Sequence, residues 1–167
     1  MWPSNATVSG MTIRPYRSSD VEAVVSLALR AWAPVFASIE QAMDPEVYRA
    51  FYPNGWRDSQ RAAVKAALAE QRVWIAERDG AAAGFVSIVL HRDDGIGEIH
   101  MVAVDPDHQE RGIGMALTEY AIDWMREAGM TVAMVETGAD PGHSPARRTY
   151  ERAGFGLWPV ARYFKKL

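Results

Sequence analysis

The sequence predicts a mixed α/β domain, and two patterns in the chain support this fold class. Three β-rich runs, at residues 73–77, 82–90 and 98–104, are separated by turn sequences, of which Asp79-Gly80 is a strong hairpin signal. These runs predict an antiparallel meander. A helical pattern and another apolar run follow, and a strand–helix–strand order requires a parallel pair. The sheet is therefore expected to be antiparallel early and parallel in its middle.

The first half of the chain predicts one strand followed by several helices. Residues 11–16 form the predicted strand, and Ser18-Ser19-Asp20 offers N-cap oxygens for a helix with apolar residues at helical spacing. The aromatic-rich stretch 33–56 predicts one or two short helices and a turn at Pro53-Asn54-Gly55. A third helical pattern covers residues 58–70.

The second half predicts two further helices around one strand. Residues 112–128 carry an apolar helical face, and residues 131–136 form an almost continuous apolar run, which is typical of a strand covered on both faces. Ser144 as N-cap, with proline at the first helical position, predicts a short helix over 145–152. A last apolar run covers residues 160–164.

Composition limits the classes of protein that the chain can represent. Its 167 residues, 49% of them hydrophobic, predict a single domain over 1–167, with residues 1–10 expected to be flexible. A net charge of -3 with both signs scattered predicts no nucleic-acid partner and no membrane attachment. The lack of cysteine excludes disulfides, thiolate metal sites and a cysteinyl-acyl intermediate. No secretory signal is recognised and no segment is expected to span a bilayer, so a cytoplasmic location is expected.

The most informative stretch is the turn Gln109-Glu110-Arg111-Gly112-Ile113-Gly114, between a predicted strand and a predicted helix. Its glycines expose backbone N–H groups at a helix N-terminus, which favours an anion such as a diphosphate. A P-loop would need Lys-Ser/Thr after the last glycine, where Met115 and Ala116 stand. A dinucleotide-binding turn would find its acidic residue in Glu136, but Leu117 occupies its third small position.

At these residues the sequence resembles the GNAT N-acetyltransferase superfamily, whose acetyl-CoA-binding sequence reads Gln/Arg-x-x-Gly-x-Gly/Ala at the start of the central helix. Residues 109–114 match it without a gap. Two flanking matches are Glu98-Ile99 with Ala103-Val104-Asp105-Pro106, and Ala146 with Tyr150-Glu151 and Gly154-Phe155. The resemblance covers about the second half of the chain. It implies a mixed, mostly antiparallel sheet with helices on both faces and a central strand–helix–strand acetyl-CoA unit.

The resemblance also implies an activity and a set of cofactor-binding residues. The activity is acetyl-CoA-dependent N-acetyl transfer to a primary amine of a small molecule or peptide, by direct attack in a ternary complex. The alternative is a non-catalytic acyl-CoA sensor. Backbone groups of the turn would hold the diphosphate, and a strand edge would pair with the pantetheine arm. The residues implied are Val102, Ala103, Val104, Gln109, Glu110, Arg111, Gly112, Ile113, Gly114, Met115 and His143, the last where asparagine is common.

Two residues are candidates for acid–base chemistry. Deprotonating a lysine-like amine of pKa ~10.4 at pH 7 costs about 4.6 kcal/mol, whereas an α-amine needs only about 1 kcal/mol. Glu98 matches a position where some GNAT members carry a glutamate base, and period-2 geometry puts His100 on the same side of the strand. Either could act. Tyr150 matches the family tyrosine that protonates the CoA thiolate.

The expected partners follow from this activity. They are acetyl-CoA and a small-molecule or peptide amine, with no nucleic acid and no membrane, while a homodimer is left open. His91 and His108 show no metal-ligand spacing, so no metal is expected. Most of the aromatic residues between Trp32 and Trp56 are expected in the core, although the family builds its acceptor wall from these first helices.

Overall fold

The computed structural model describes residues 6–8 and 10–167 of the chain. The expectation that residues 1–10 are flexible stays a prediction, because residues 1–5 and 9 lie outside the described residues. One mixed sheet of six strands forms the centre of the fold. Its strands are β1 (Ala6–Val8), β2 (Met11–Pro15), β3 (Arg72–Arg78), β4 (Ala81–His91), β5 (Ile96–Val104) and β6 (Val132–Val135).

The strands lie in the sheet in the same order as in the sequence. Every neighbouring pair from β1 to β5 is antiparallel, whereas β5 and β6 are parallel. The helices are α1 (Val21–Ala42), α2 (Pro45–Phe51), α3 (Trp56–Glu70), α4 (Ile113–Glu127) and α5 (Ser144–Arg152). Because α4 connects the parallel pair, the predicted fold class and its central strand–helix–strand unit are confirmed.

Helices cover both faces of the sheet, and alternation along β4 shows the two layers. Phe85 belongs to a buried cluster with α1 and α3, which includes Val25 and Val64. Val86, the next residue, belongs to a second cluster with α4, which includes Leu117. These side chains are at most 1% exposed, so both faces of the central strands lie in a well-buried core.

Helix α1 is longer than the sequence analysis expected. Residues 33–56 were predicted to form one or two separate short helices, but α1 continues through Pro34 to Ala42. Proline removes one backbone donor, the one that would reach the carbonyl of Arg30. The apolar spacing continues beyond it, and Phe36 is only 6% exposed. Packing of this continued face outweighs the local cost of the proline.

The same helix corrects a second expectation, that no segment reaches the length needed to cross a bilayer. Together with the preceding 3-10 turn, residues Ser18–Ala42 form a helical stretch of 25 residues that passes a test of length and apolarity for a membrane span. In the fold, α1 packs Val24, Leu27 and Ala28 against the sheet. Its apolar composition therefore has a role in the core.

The C-terminal part departs from the predicted cap and ends in irregular structure. Helix α5 begins at Ser144, and His143 occupies the cap position without a side-chain cap bond. The Ser144 hydroxyl instead accepts a hydrogen bond of 2.7 Å from Arg148. Residues 153–167 form no helix or strand, and the apolar side chains there include Trp158 and Tyr163, which are 82% and 90% exposed.

Candidate functional site

The site lies where β5 and β6 stop pairing. The parallel ladder begins at Ile96 and ends with Ile99 opposite Val135. On the other edge of β5, the register with β4 shifts at the same place, so that His100 is an extra residue between two paired positions. A bulge of this kind bends the strand and re-aims its side chains. Residues 101–104 of β5 therefore have a partner on the β4 side only, among the described residues.

A cleft of about 730 Å³ opens at this divergence. It is lined by the end of β5, the turn before α4, one face of α5 and one face of α1. The cleft brings together nearly all of the predicted site, and only Arg111 and Glu98 are absent from its lining. The predicted residues in the lining are Val102, Ala103, Val104, Gln109, Glu110, Gly112, Ile113, Gly114, Met115, His143 and Tyr150.

The turn at the start of α4 presents backbone donors to this cleft. Gly112 is the N-cap residue, in the left-handed region at φ 77°, and no side chain caps the helix. The N–H groups of the first turn have no carbonyl one turn earlier to receive them. Gln109 folds back and donates from Nε2 to the carbonyl of Val104 at 3.1 Å. The turn is thereby tied to the strand that precedes it, and its free amides are donors of the kind that can bind an anion at a helix N-terminus.

Asp105 holds this turn against the rest of the fold. Its backbone N–H donates to the Ala83 carbonyl at 2.9 Å, and its carboxylate accepts from the Asp107 N–H at 2.9 Å. Arg30 of α1 donates to Asp105 at 3.1 Å and to Asp107 at 2.6 Å. Because Asp105 is 8% exposed, the position of the turn depends on a partly buried ion pair.

Tyr150 is a buried side chain of the cleft that carries an ionisable hydroxyl. It lies on α5, is 7% exposed, and packs edge-on against Phe155 with ring centroids 5.9 Å apart. Burial raises the pKa of its phenol to about 12. The hydroxyl therefore stays protonated at ordinary pH and can act as a proton donor.

The two candidate bases lie at the bulge but in different settings. Glu98 Oε2 lies 2.7 Å from His91 Nε2, and neither residue lines the cleft. His100 does line the cleft, and its Nδ1 lies 2.9 Å from the side-chain nitrogen and 3.0 Å from the side-chain oxygen of Gln71. In the tautomer whose Nδ1–H donates a hydrogen bond to the Gln71 oxygen, Nε2 carries no proton and can accept one from an amine.

His143 is oriented by a loop that sequence reasoning did not single out. Its Nδ1 lies 2.5 Å from the carboxylate of Asp140, which also accepts from the Gly142 N–H at 3.1 Å. Burial raises the pKa of Asp140, but hydrogen bonds involving Ser38, His143 and Gly142 outweigh it and leave the pKa below its ordinary value. Asp140 thus remains charged, and the imidazole keeps Nε2 for other contacts.

Another part of the cleft wall was expected to lie mostly in the core. Trp32, Phe36 and Ile39 of α1 line it, together with Gln60 of α3. Their spacing of three to four residues signalled one helix face, but that pattern is the same for a core face and for a cleft wall. In residues 6–8 and 10–167, no three His, Cys, Asp or Glu side chains are grouped as a metal site.

Solved structures of acetyltransferases share the fold. The PaiA N-acetyltransferase of Thermoplasma acidophilum, solved in complex with coenzyme A, superposes with a TM-score of 0.68 at 16% identity, covering 90% of this chain and 92% of that one. The ribosomal-protein-S18-alanine N-acetyltransferase of Escherichia coli gives 0.66 at 22% identity, over 89% of this chain and 79% of that one. At these identities the likeness establishes the architecture.

Curated relatives and a family model extend the likeness to the sequence. The mycothiol acetyltransferase of Mycobacterium avium is 29% identical over 95% of this chain and 59% of its own length, and that of Beutenbergia cavernae is 33% identical over 91% and 46%. The chain thus spans about half the length of these relatives. The model of the Acetyltransferase (GNAT) family matches residues 42–155, which is more than half of the chain. Together with the shared fold, this match shows that the chain belongs to the GNAT family of acetyltransferases.

Proposed function

We propose that this chain is an acetyl-CoA-dependent N-acetyltransferase that acts on a primary amine. The observation that carries the proposal is the placement of three features along one cleft. They are the free amides at the start of α4, the open edge of β5 and the buried hydroxyl of Tyr150. An anion site, a strand edge and a proton donor are what a CoA thioester requires of a protein that cleaves it.

The residues present fit acetyl-CoA. The diphosphate would bind at the uncapped N-terminus of α4, where Gly112 leaves the backbone bare. The pantetheine arm would extend along residues 102–104, whose outer backbone edge has no strand partner within the described chain. His143, turned by Asp140, would contact the arm from the opposite wall. Bound there, acetyl-CoA supplies an activated acetyl group as its thioester.

The chain's own residues then account for direct transfer. The amine nitrogen forms a bond to the acetyl carbon while the carbon–sulfur bond breaks, so the products are an amide and a free thiol. A strand N–H at the open end of β5 can stabilise charge on the carbonyl oxygen. Tyr150 gives its proton to the departing sulfur. Since the chain has no cysteine, direct attack without a cysteinyl-acyl stage is the route that its side chains support.

His100 is the residue that we assign to accept the proton of the amine. It lines the cleft, and when the side-chain oxygen of Gln71 faces Nδ1, that nitrogen carries the proton and Nε2 is able to act as base. Glu98, to which the family resemblance assigns this role, bonds to His91 outside the cleft lining. It remains the alternative base, acting through water. A non-catalytic sensor would bind acetyl-CoA but show no amine-dependent release of thiol.

The first prediction tests the anion site at α4. Gly114 has room for a side chain, since a Cβ there would meet Val104 at an ordinary 3.7 Å. Gly114→Glu is expected to weaken CoA binding about tenfold or more relative to Gly114→Gln, because only the carboxylate repels the diphosphate. Isothermal titration calorimetry of both variants measures this difference. Equal affinities would remove the start of α4 from the diphosphate site.

The second prediction concerns Tyr150. Tyr150→Phe is expected to lower kcat by roughly 10²–10⁴-fold with little change in affinity for CoA, because the phenyl ring keeps the packing and loses the proton. Wild-type kcat should show no alkaline fall through pH ~10, where an ordinary tyrosine titrates, because burial holds the pKa of Tyr150 higher. An unchanged kcat in the variant would exclude Tyr150 as the acid.

The third prediction separates the two bases. His100→Gln is expected to lower kcat/KM for an alkylamine by roughly 10²–10⁴-fold, and Glu98→Gln to have a much smaller effect. In His100→Gln, kcat/KM should rise with pH in proportion to the free amine, since no protein group then removes the proton. A larger loss in Glu98→Gln, with a normal profile in His100→Gln, would assign the base to Glu98.

We also propose that a second copy of the chain covers the exposed apolar surface formed by β6, Phe51 and residues 157–167. All exposed large apolar side chains among the described residues belong to these three parts of the chain. The rings of Phe51 and Phe164 meet edge-on, with centroids 5.1 Å apart. The three aromatic side chains of residues 157–167 are 52–90% exposed and present roughly 350–550 Å² at 150–250 Å² per ring. Leu157, Val160 and Leu167 add to this area, against the ~800 Å² that each partner buries in a standard interface. Arg162 and Lys166 of this segment pair with Glu136 and Glu46 of the same chain, so it is the apolar side chains that the surface offers to a second copy.

The fourth prediction follows from this surface. Light scattering coupled to size exclusion is expected to give twice the 18.5 kDa mass, and Trp158→Ser with Tyr163→Ser to give a monomer. A Glu119→Gln variant on α4 serves as control and should stay dimeric. A monomeric wild type at micromolar concentration would contradict the proposal.

A further inference from the structure

We propose that the acceptor is a primary amine with a single positive charge and an apolar, aromatic body. This inference rests on the proposed acetyl transfer and names the class of amine that the cleft admits. It is based on an apolar wall of the cleft, formed mainly by α1, that we call the α1 wall. The α1 wall consists of Trp32, Val35, Phe36 and Ile39 with Met101 of β5, and all of these residues line the cleft.

The α1 wall is apolar and firmly held. Phe36 stacks on Trp56 with ring centroids 4.4 Å apart and planes within 3°. It also meets Tyr52 edge-on at 5.4 Å, and Trp32 meets Phe85 edge-on at 6.3 Å. These contacts fix the aromatic side chains before any ligand arrives. A flat apolar body can therefore bind without much ordering of the protein.

The charges of the cleft exclude an acceptor with several ammonium groups. Among the described residues, the carboxylates that line it are Glu110 in the turn before α4 and Glu136 directly after β6. Glu136 is also bonded to Arg162 at 3.1 Å. The α1 wall contributes no carboxylate, and the polar residues beside it are Gln60 and His100. Further ammonium groups would lose water there without gaining a counter-charge, which is unfavourable.

The position of His100 orients the amine. His100 and Met101 are adjacent at the bulge of β5, so the proposed base stands beside the apolar wall. An amine whose nitrogen faces His100 can place its carbon body against Trp32 and Phe36. Two sources offer this chemistry, a small arylalkylamine and the α-amino group of a peptide that begins with an aromatic residue.

An amine panel tests the class. The 167-residue protein is mixed with acetyl-CoA, and thiol release is followed with 2-phenylethylamine, ethylamine, spermidine, and tripeptides that begin with Phe or Gly. We expect kcat/KM for 2-phenylethylamine to exceed those for ethylamine and spermidine at least about tenfold, as burial of a phenyl ring allows. A higher kcat/KM for the Phe tripeptide than for 2-phenylethylamine identifies a peptide as the source of the amine. A higher kcat/KM for 2-phenylethylamine identifies a small amine.

The failures of the two proposals are distinguishable in this panel. Spermidine or ethylamine acting as well as 2-phenylethylamine overturns the aromatic monoamine class while acetyl transfer stands. No release with any amine, despite CoA binding by calorimetry, overturns both the class and the transfer activity.

Two variants connect the preference to the α1 wall. Trp32→Ala is expected to lower kcat/KM for 2-phenylethylamine about tenfold and to leave ethylamine nearly unchanged. Leu29→Ala, on the same helix but outside the cleft lining, is the matched control and should not alter the preference. Ile39→Glu keeps the aromatic contacts and should shift the preference toward spermidine by supplying a carboxylate. If Trp32→Ala and Ile39→Glu both keep the wild-type preference for 2-phenylethylamine and melt near the wild-type temperature, the α1 wall does not select the acceptor.

Discussion

The organisation of this molecule depends on one interruption in its sheet, the place where β5 leaves β6. Backbone amides and carbonyls of a strand require partners, and a sheet normally supplies them on both edges. Here the bulge at His100 and the end of the β6 ladder at Val135 leave the last residues of β5 paired on one side. The open edge is what gives the core of the fold a cleft.

Two helices convert this interruption into a site. Helix α4 starts directly beyond β5, so its uncapped N-terminus points its donors at the end of the open edge. Helix α1 crosses the other side of the cleft and holds the turn before α4 through the ion pairs of Arg30. The anion site and the apolar wall are therefore linked through one helix, and a shift of α1 would move both.

The cleft separates charge from apolar surface, and this separation explains its chemistry. Backbone dipoles and the buried phenol of Tyr150 lie on the side of α4 and α5. Aromatic side chains lie on the side of α1, where Phe36 stacks on Trp56. His100 also lines this cleft, and the proposed transfer would have the amine lose its proton there.

Local sequence determined much of this protein. The order of strands and helices from β2 onward, the hairpin at Asp79-Gly80 and the glycine turn before α4 follow from turn chemistry and periodicity, which act over a few residues, and the structure confirms them. Strand β1 was not predicted. Tertiary structure alone decided that α1 continues past Pro34 and that Glu98 pairs with His91 while His100 lines the cleft. It also placed Asp140 behind His143. Contacts between residues far apart in the chain set these outcomes, and period-2 facing fails where a bulge adds a residue.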